Sequence, residues 1–197
     1  MKPELASYSA EDVGTVSMSV LEVYRLTWTA TQFGLGRRQL EAFSGNLERH
    51  SERAGFRLRV AREPAARSVV GFAYGYKSER GGWWRDVVVR AMGERLARQW
   101  FLDAFEFAEL AVLPDHQGRG IGMQLHDALL EGLTNRTAVL STQRANHRAR
   151  NLYLRAGWQV VLDRLVFPGR SYPYSVMGLD LAARGAEESG ESDPDTA

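Results

Sequence analysis

The stretch Ala111-Val112-Leu113-Pro114-Asp115-His116-Gln117-Gly118-Arg119-Gly120-Ile121-Gly122 limits what this chain can fold into more than any other. An apolar run stops at a proline. A Gln-Gly-Arg-Gly-Ile-Gly loop follows and opens directly into a helical pattern, with Ile121, Leu125, Ala128, Leu129 and Leu133 on one face. Glycines at alternate positions let the backbone curl and let a ligand come close. A helix N-terminus points unpaired N–H groups outward and carries partial positive charge. The combination reads as a cradle for phosphate oxygens, with Arg119 as an added cation.

Spacing sets this loop apart from two common nucleotide motifs. A dinucleotide fingerprint wants G-x-G-x-x-G, but Gly122 comes one residue early and Met123 stands at the third glycine position. A P-loop needs a lysine after its last glycine, and the chain's only lysines are Lys2 and Lys77. A plain strand-to-helix turn needs one or two glycines, not three with a flanking Gln and Arg. Downstream, Leu140-Ser141-Thr142 reads as a strand. Asn146-His147-Arg148-Ala149-Arg150-Asn151-Leu152-Tyr153-Leu154-Arg155-Ala156-Gly157-Trp158 reads as a loop and short helix closed by Gly157.

These two segments resemble the cofactor motifs of the GNAT superfamily of N-acetyltransferases. Val112, Pro114, Gln117, Gly118, Gly120 and Gly122 fill its pyrophosphate loop without a gap. Asn146, Ala149, Leu152, Tyr153, Gly157 and Trp158 fit its second cofactor segment in register. Together the motifs cover about a quarter of the chain; the rest resembles the family in element order.

The resemblance implies an α/β fold of GNAT type: a mixed, mostly antiparallel sheet flanked by helices and splayed at the cofactor site. It implies direct transfer of acetyl from acetyl-CoA, as cosubstrate, to an amine. Main-chain amides of Leu110, Ala111 and Val112 would hold the pantetheine and polarise the thioester. Gln117, Gly118, Arg119, Gly120, Ile121 and Gly122 would hold the pyrophosphate. Asn146 and Asn151 would bond the cofactor, although Asn146 also suits a helix cap.

Acetyl transfer to an amine requires that the amine lose its proton and that the leaving thiolate be stabilised. A primary amine holds its proton up to a pH of about 10, so a base must relay it away. Glu106 and Glu109 lie in the apolar strand entering the loop, where a carboxylate needs a reason. Glu106 matches the base of the histone-acetylating branch of the superfamily, and Glu109 an acidic position of other branches. Their odd separation puts them on opposite faces of a regular strand, so only one faces the acceptor unless a bulge shifts the register. Tyr153 is the candidate general acid, because a phenol can protonate a departing sulfur.

Bulk properties narrow the alternatives. The chain has 197 residues, 44% hydrophobic and 25% charged, with a net charge of +1 and no cysteine. A disulfide, a thiol nucleophile and a thiolate metal site are excluded. Near-neutral charge gives no indication of a nucleic-acid or anionic-membrane partner. The N-terminus lacks the apolar stretch of a signal peptide, and no run reaches membrane-spanning length, so a cytoplasmic location is the default. The excess of arginine suggests a GC-rich bacterial genome. His50, His116, His126 and His147 are scattered without a ligand spacing and read as surface side chains, so no metal is expected.

The expected organisation is one domain over residues 1–181 with an acidic, disordered tail over 182–197. Strands are predicted at 4–8, 56–61, 69–76, 105–112, 138–142, 159–163 and 175–181. A helix with Val13, Val16, Val20, Val23 and Tyr24 on one face follows a Ser9–Asp12 capping sequence, and Trp28–Gly36 reads as a loop. A second helix runs from Arg37 to Arg53, burying Leu40, Phe43 and Leu47. Gly71 and Gly75 weaken the strand at 69–76. Residues 77–104 form an insertion relative to the family plan, with Trp83, Trp84, Trp100 and Phe101 around one helix from Asp86 to Gln99. These aromatics read either as a mini-core or dimer contact, or as a substrate lid. Two alternatives to the enzyme stand beside it: a catalytically inactive acyl-CoA-binding regulatory module, and an unrelated nucleotide-binding protein. The acceptor, a small-molecule or peptide amine, is not written in the sequence.

Overall fold

A computed structural model of the chain describes residues 3–29 and 37–184. Its strands are β1 (Glu4–Tyr8), β2 (Arg57–Arg62), β3 (Val69–Lys77), β4 (Ala104–Val112), β5 (Thr137–Gln143), β6 (Gln159–Leu165) and β7 (Tyr174–Asp180). They hydrogen-bond in the order β1-β2-β3-β4-β5-β7-β6. The pairs β1–β2, β2–β3, β5–β7 and β6–β7 are antiparallel, and β4–β5 is parallel. The helices are α1 (Ser17–Thr29), α2 (Arg37–Ser51), α3 (Trp83–Met92), α4 (Glu94–Phe101), α5 (Ile121–Leu130) and α6 (His147–Arg155). The chain divides into two units, one of residues 1–77 and 107–131, the other of residues 78–106 and 132–197.

In the first unit, β3 alternates large and small side chains: Val70, Phe72, Tyr74 and Tyr76 against Gly71, Ala73 and Gly75. A strand's period of two sends these sets to opposite faces. The large set meets the helices, with the Phe72 ring 5.9 Å from Phe43 and the Tyr76 ring 4.6 Å from His50, both of α2. A Cβ at Gly71 would stand 3.0 Å from Leu125 Cδ1 of α5 and 3.0 Å from the Ala111 carbonyl oxygen of β4. Gly71 therefore lowers strand propensity but admits this close approach. Val16, Val20, Val23, Phe43, Leu47, Leu58, Val60 and Phe72 form the buried core here.

The second unit has a core of its own, in which Val88, Trp100, Phe101, Ala104, Val139, Phe167 and Val176 are buried. A Cβ at Gly178 of β7 would come within 2.5 Å of Trp100 Cε3, so the indole lies against bare backbone. Thr137 Oγ1 donates to the Trp100 carbonyl at 2.8 Å, tying α4 to β5.

Several local expectations are corrected. The single helix over 86–99 is two helices, α3 and α4, because Gly93 adopts φ 78° and ψ 166° between them. The first helical stretch begins as a 3-10 turn at Val13–Thr15 before α1, and Trp28 belongs to α1, not to a loop. Ser9 Oγ donates to Asp12 Oδ2 at 3.0 Å, so these side chains bond each other and neither caps the helix, which they meet through their backbone carbonyls. Leu133 lies beyond the end of α5. Residues 181–184 form a helical turn, with the Leu181 N–H on the Arg136 carbonyl at 2.9 Å and the Ala183 N–H on Asp180 Oδ1 at 3.0 Å. The rest of the expected tail, and residues 30–36 of the expected loop, lie outside the described residues.

Candidate functional site

The glycine loop begins where β4 ends. Pro114–His116 forms a 3-10 turn, since proline supplies the required φ and has no N–H to leave unpaired. Gln117 then folds back: its Nε2 donates to the Val112 carbonyl at 2.7 Å, and its backbone N–H to the Pro114 carbonyl at 3.2 Å. Thr27 Oγ1 of α1 donates to the same Val112 oxygen at 3.2 Å. The Gln117 carboxamide thus locks the strand end to the loop. Gly118 and Gly120 take φ of 79° and 80°, and Gly120 caps α5 in the left-handed conformation. Nothing lies within 4 Å of a Cβ at Gly118, and Gln124 Nε2 at 3.8 Å is the nearest atom to one at Gly120. The first intrahelical bond runs from the Gln124 N–H to the Gly120 carbonyl. The N–H groups of Ile121, Gly122 and Met123 precede it, at the positive end of the helix beside exposed Arg119. This open concavity of N–H groups fits an anion of phosphate size.

Just past the end of β4, the Leu113 N–H donates to the Val70 carbonyl at 2.8 Å. The Ala111 carbonyl oxygen lies 3.0 Å from where a Cβ at Gly71 would stand.

The two candidate glutamates have different surroundings. Glu106 falls in the second unit, is buried, and accepts a 2.7 Å hydrogen bond from Ser78 Oγ. Glu109 falls in the first unit and keeps partial solvent contact at its edge. Desolvation by surrounding protein pushes its carboxyl up to about 8, against the lowering effect of the Leu110 N–H. Ser78 and Thr27 carried no sequence signal: each is an isolated hydroxyl far along the chain from its partner.

In the second unit, Asn146 is the N-cap of α6, its Oδ1 accepting the Ala149 N–H at 3.1 Å. Asn151 is exposed on the helix. Tyr153 is buried, its ring 5.6 Å from that of Trp158. Gly157 has φ 88° and donates to the Leu154 carbonyl at 3.1 Å, while the Trp158 N–H reaches the Tyr153 carbonyl at 3.0 Å. This pair of bonds is a Schellman ending, which sets where Tyr153 stands.

The aromatics between residues 77 and 104 differ in their surroundings. Trp100 and Phe101 are core, Trp84 Nε1 donates to Ser141 Oγ at 2.8 Å, and Trp83 is exposed. The histidine reading is corrected at two positions. His126 is fully buried on α5, 5.7 Å from the Phe107 ring, because α5 buries a face broad enough to take both Leu125 and its neighbour. His50 is half-buried between two tyrosines. Among the described residues no group of three or more His, Asp or Glu is placed to hold a metal ion, and no helix is long and apolar enough to cross a membrane.

Comparison with known proteins gives a concordant result. The family model described as Acetyltransferase (GNAT) family matches residues 20–158. A GCN5-like protein acetyltransferase of Mycobacterium tuberculosis is 35% identical over 132 residues, which is 63% of this chain and 64% of that protein. The chain thus spans less than two thirds of that relative's length. Two solved structures share the fold. The yncA structure of Salmonella typhimurium, with its cofactor acetyl-CoA, has a TM-score of 0.57 at 17% identity, covering 100% of this chain and 98% of that one. A phosphinothricin acetyltransferase of Sinorhizobium meliloti in complex with acetyl-CoA has a TM-score of 0.57 at 17% identity, covering 92% and 89%.

Proposed function

The chain belongs to the GNAT acetyltransferase family, and from that premise we propose that it moves an acetyl group from acetyl-CoA directly to a small-molecule or peptide amine. The observation that carries this reading is the loop from Gln117 to Gly122: two positive-φ glycines open α5 onto an uncrowded concavity of N–H groups. An anion of pyrophosphate shape fits it, bound by Gly118, Arg119, Gly120, Ile121 and Gly122. Gln117 shapes the loop through its bond to Val112. Main-chain N–H groups of Leu110, Ala111 and Val112, at the end of β4, would hold an extended amide chain such as pantetheine. Acetyl-CoA, when bound, supplies the activated thioester.

Glu109 takes the proton from the attacking amine. Its carboxyl, raised to about 8, gives a base whose proton affinity is near the working pH, which favours proton transfer in both directions of its cycle. Glu106, buried and bonded by Ser78, holds the strand. Tyr153 donates the proton to the leaving sulfur, and Asn146 orients α6 as its cap.

A panel of amines incubated with acetyl-CoA, read by thiol release, tests this. Turnover with at least one amine is expected, rising with pH through about 8 and lost in Glu109→Gln. Tight CoA binding without turnover on any amine would make the chain a binding module. Absence of CoA binding in calorimetry would overturn the reading altogether.

A further inference from the structure

The helix that opens on the glycine loop, α5, packs on β2 and β3. Arg59 of β2 shows which face of the sheet it covers: the Arg59 Nε donates to the Ala128 carbonyl at 3.0 Å. Two positions back on the same strand, Arg57 Nη1 donates to the Glu131 carbonyl at 2.6 Å. The strand register sets Arg59 opposite Ala73, Ala61 opposite Gly71 and Arg57 opposite Gly75, so all six positions lie on this face. From Gly71 to Gly75, β3 therefore offers the helix no side chain longer than a methyl. Leu125 rests over Gly71, where a Cβ would stand 3.0 Å from its Cδ1, and the Phe107 ring lies 5.7 Å from that of His126. These contacts draw the helix close. None is directional, and no side chain of β3 in this stretch stands up between the helix turns to stop it sliding along its axis.

We propose that Arg59 and Arg57 are positioning residues for the anion cradle, acting through α5: they clamp carbonyls at the C-terminal end of the helix to β2 and so set where the N–H groups of Ile121, Gly122 and Met123 stand at its other end. Ala128 is in the last turn of α5 and Glu131 is its C-cap, where carbonyls lack intrahelical donors and the helix carries partial negative charge. A guanidinium supplies both the donors and the opposite charge. Arg59 Nη1 is braced in turn on the Leu58 carbonyl at 3.4 Å. The helix has 10 residues, a length of about 15 Å, and its own hydrogen bonds make it a rod. A shift at the clamped end is therefore carried whole to the cradle.

The inference rests on the opening of α5 as the site that takes CoA, and one arm of its test needs no ligand. Arg59→Met keeps the apolar stem and removes the donors, whereas Arg59→Lys keeps a charge and a donor. Calorimetry with CoA on the full chain is expected to give a Kd about tenfold higher for Arg59→Met, the scale of one lost hydrogen bond to a charged group, with most of the loss recovered in Arg59→Lys. An unchanged Kd, whether or not the binding stoichiometry falls, would make the arginine merely structural and overturn the clamp. In the unliganded chain labelled with nitrogen-15, the amide resonances of Ile121, Gly122 and Met123 should move in Arg59→Met and return toward their parent positions in Arg59→Lys. Unmoved resonances in folded Arg59→Met would also overturn it. Where Arg59→Met fails to fold, Arg57→Met, which releases the Glu131 carbonyl, gives the same two readings and decides. Moved resonances in a chain whose parent does not bind CoA sink the acetyl-CoA reading alone; CoA binding by the parent with unmoved resonances in the variants sinks the clamp alone.

Discussion

Glu106 and Glu109 have the same chemistry and sit three positions apart on one strand, yet their neighbours give them different surroundings. Ser78 donates to the first, and desolvation raises the second to about 8. Nothing local in the sequence distinguishes them, since Ser78 lies twenty-eight positions upstream of Glu106. Tyr153 is different: its motif placed it, and the structure buries it beside Trp158. Tyr153→Phe keeps that ring contact and removes only the proton donor. Its kcat is expected to fall by roughly 10²-fold, the usual size of a general-acid contribution, with CoA affinity and melting temperature little changed. Full activity in the variant would assign the proton to solvent and the tyrosine to packing.

At the scale of elements, glycines decide how helices start and how close they sit. Gly120 has φ 80°, a conformation that a β-branched residue adopts only with strain, so Gly120→Val should distort the opening of α5. Arg119→Ala removes one exposed charge and leaves the N–H groups in place. Calorimetry should therefore show a much larger loss of CoA affinity for the valine variant; equal losses would count against the backbone cradle. Gly178 makes a separate point on β7. Alanine there would press its Cβ to within 2.6 Å of Trp100 Cζ3, and α4 would have to shift. Destabilisation of about 2–3 kcal/mol is expected in denaturant unfolding, typical of overpacking. A neutral Gly178→Ala would mean that Trp100 is not the anchor of α4. The sequence flagged these tryptophans as either core or lid; Trp100 belongs to the core, and Trp83 is exposed.

For the whole molecule, the raised Glu109 has a consequence for stability against pH. Its carboxyl binds its proton more tightly in the folded state, so the unfolded chain releases that proton first as pH rises. Glu109 therefore contributes most below about pH 4.5, and that contribution is lost progressively as pH rises through about 8. Glu109→Gln, which cannot ionise, should melt at a higher temperature than the parent chain at pH 9 and show no such advantage at pH 4. Equal differences at both pH values would place the carboxyl in water.

The sequence by itself determined the order of strands and helices, the glycine loop and its helix, and the motif carrying Tyr153, because each rests on contiguous residues whose φ preferences and periodicity act locally. It located Phe43 and Leu47 in the core by helical spacing alone. Only the tertiary structure decided why β3 tolerates Gly71, which glutamate has its carboxyl raised, and that His50 sits between Tyr74 and Tyr76. Those outcomes depend on residues far apart in the chain that pairing brings together. Desolvation and hydrogen bonding act on what surrounds a group in space, and a linear pattern does not contain those surroundings.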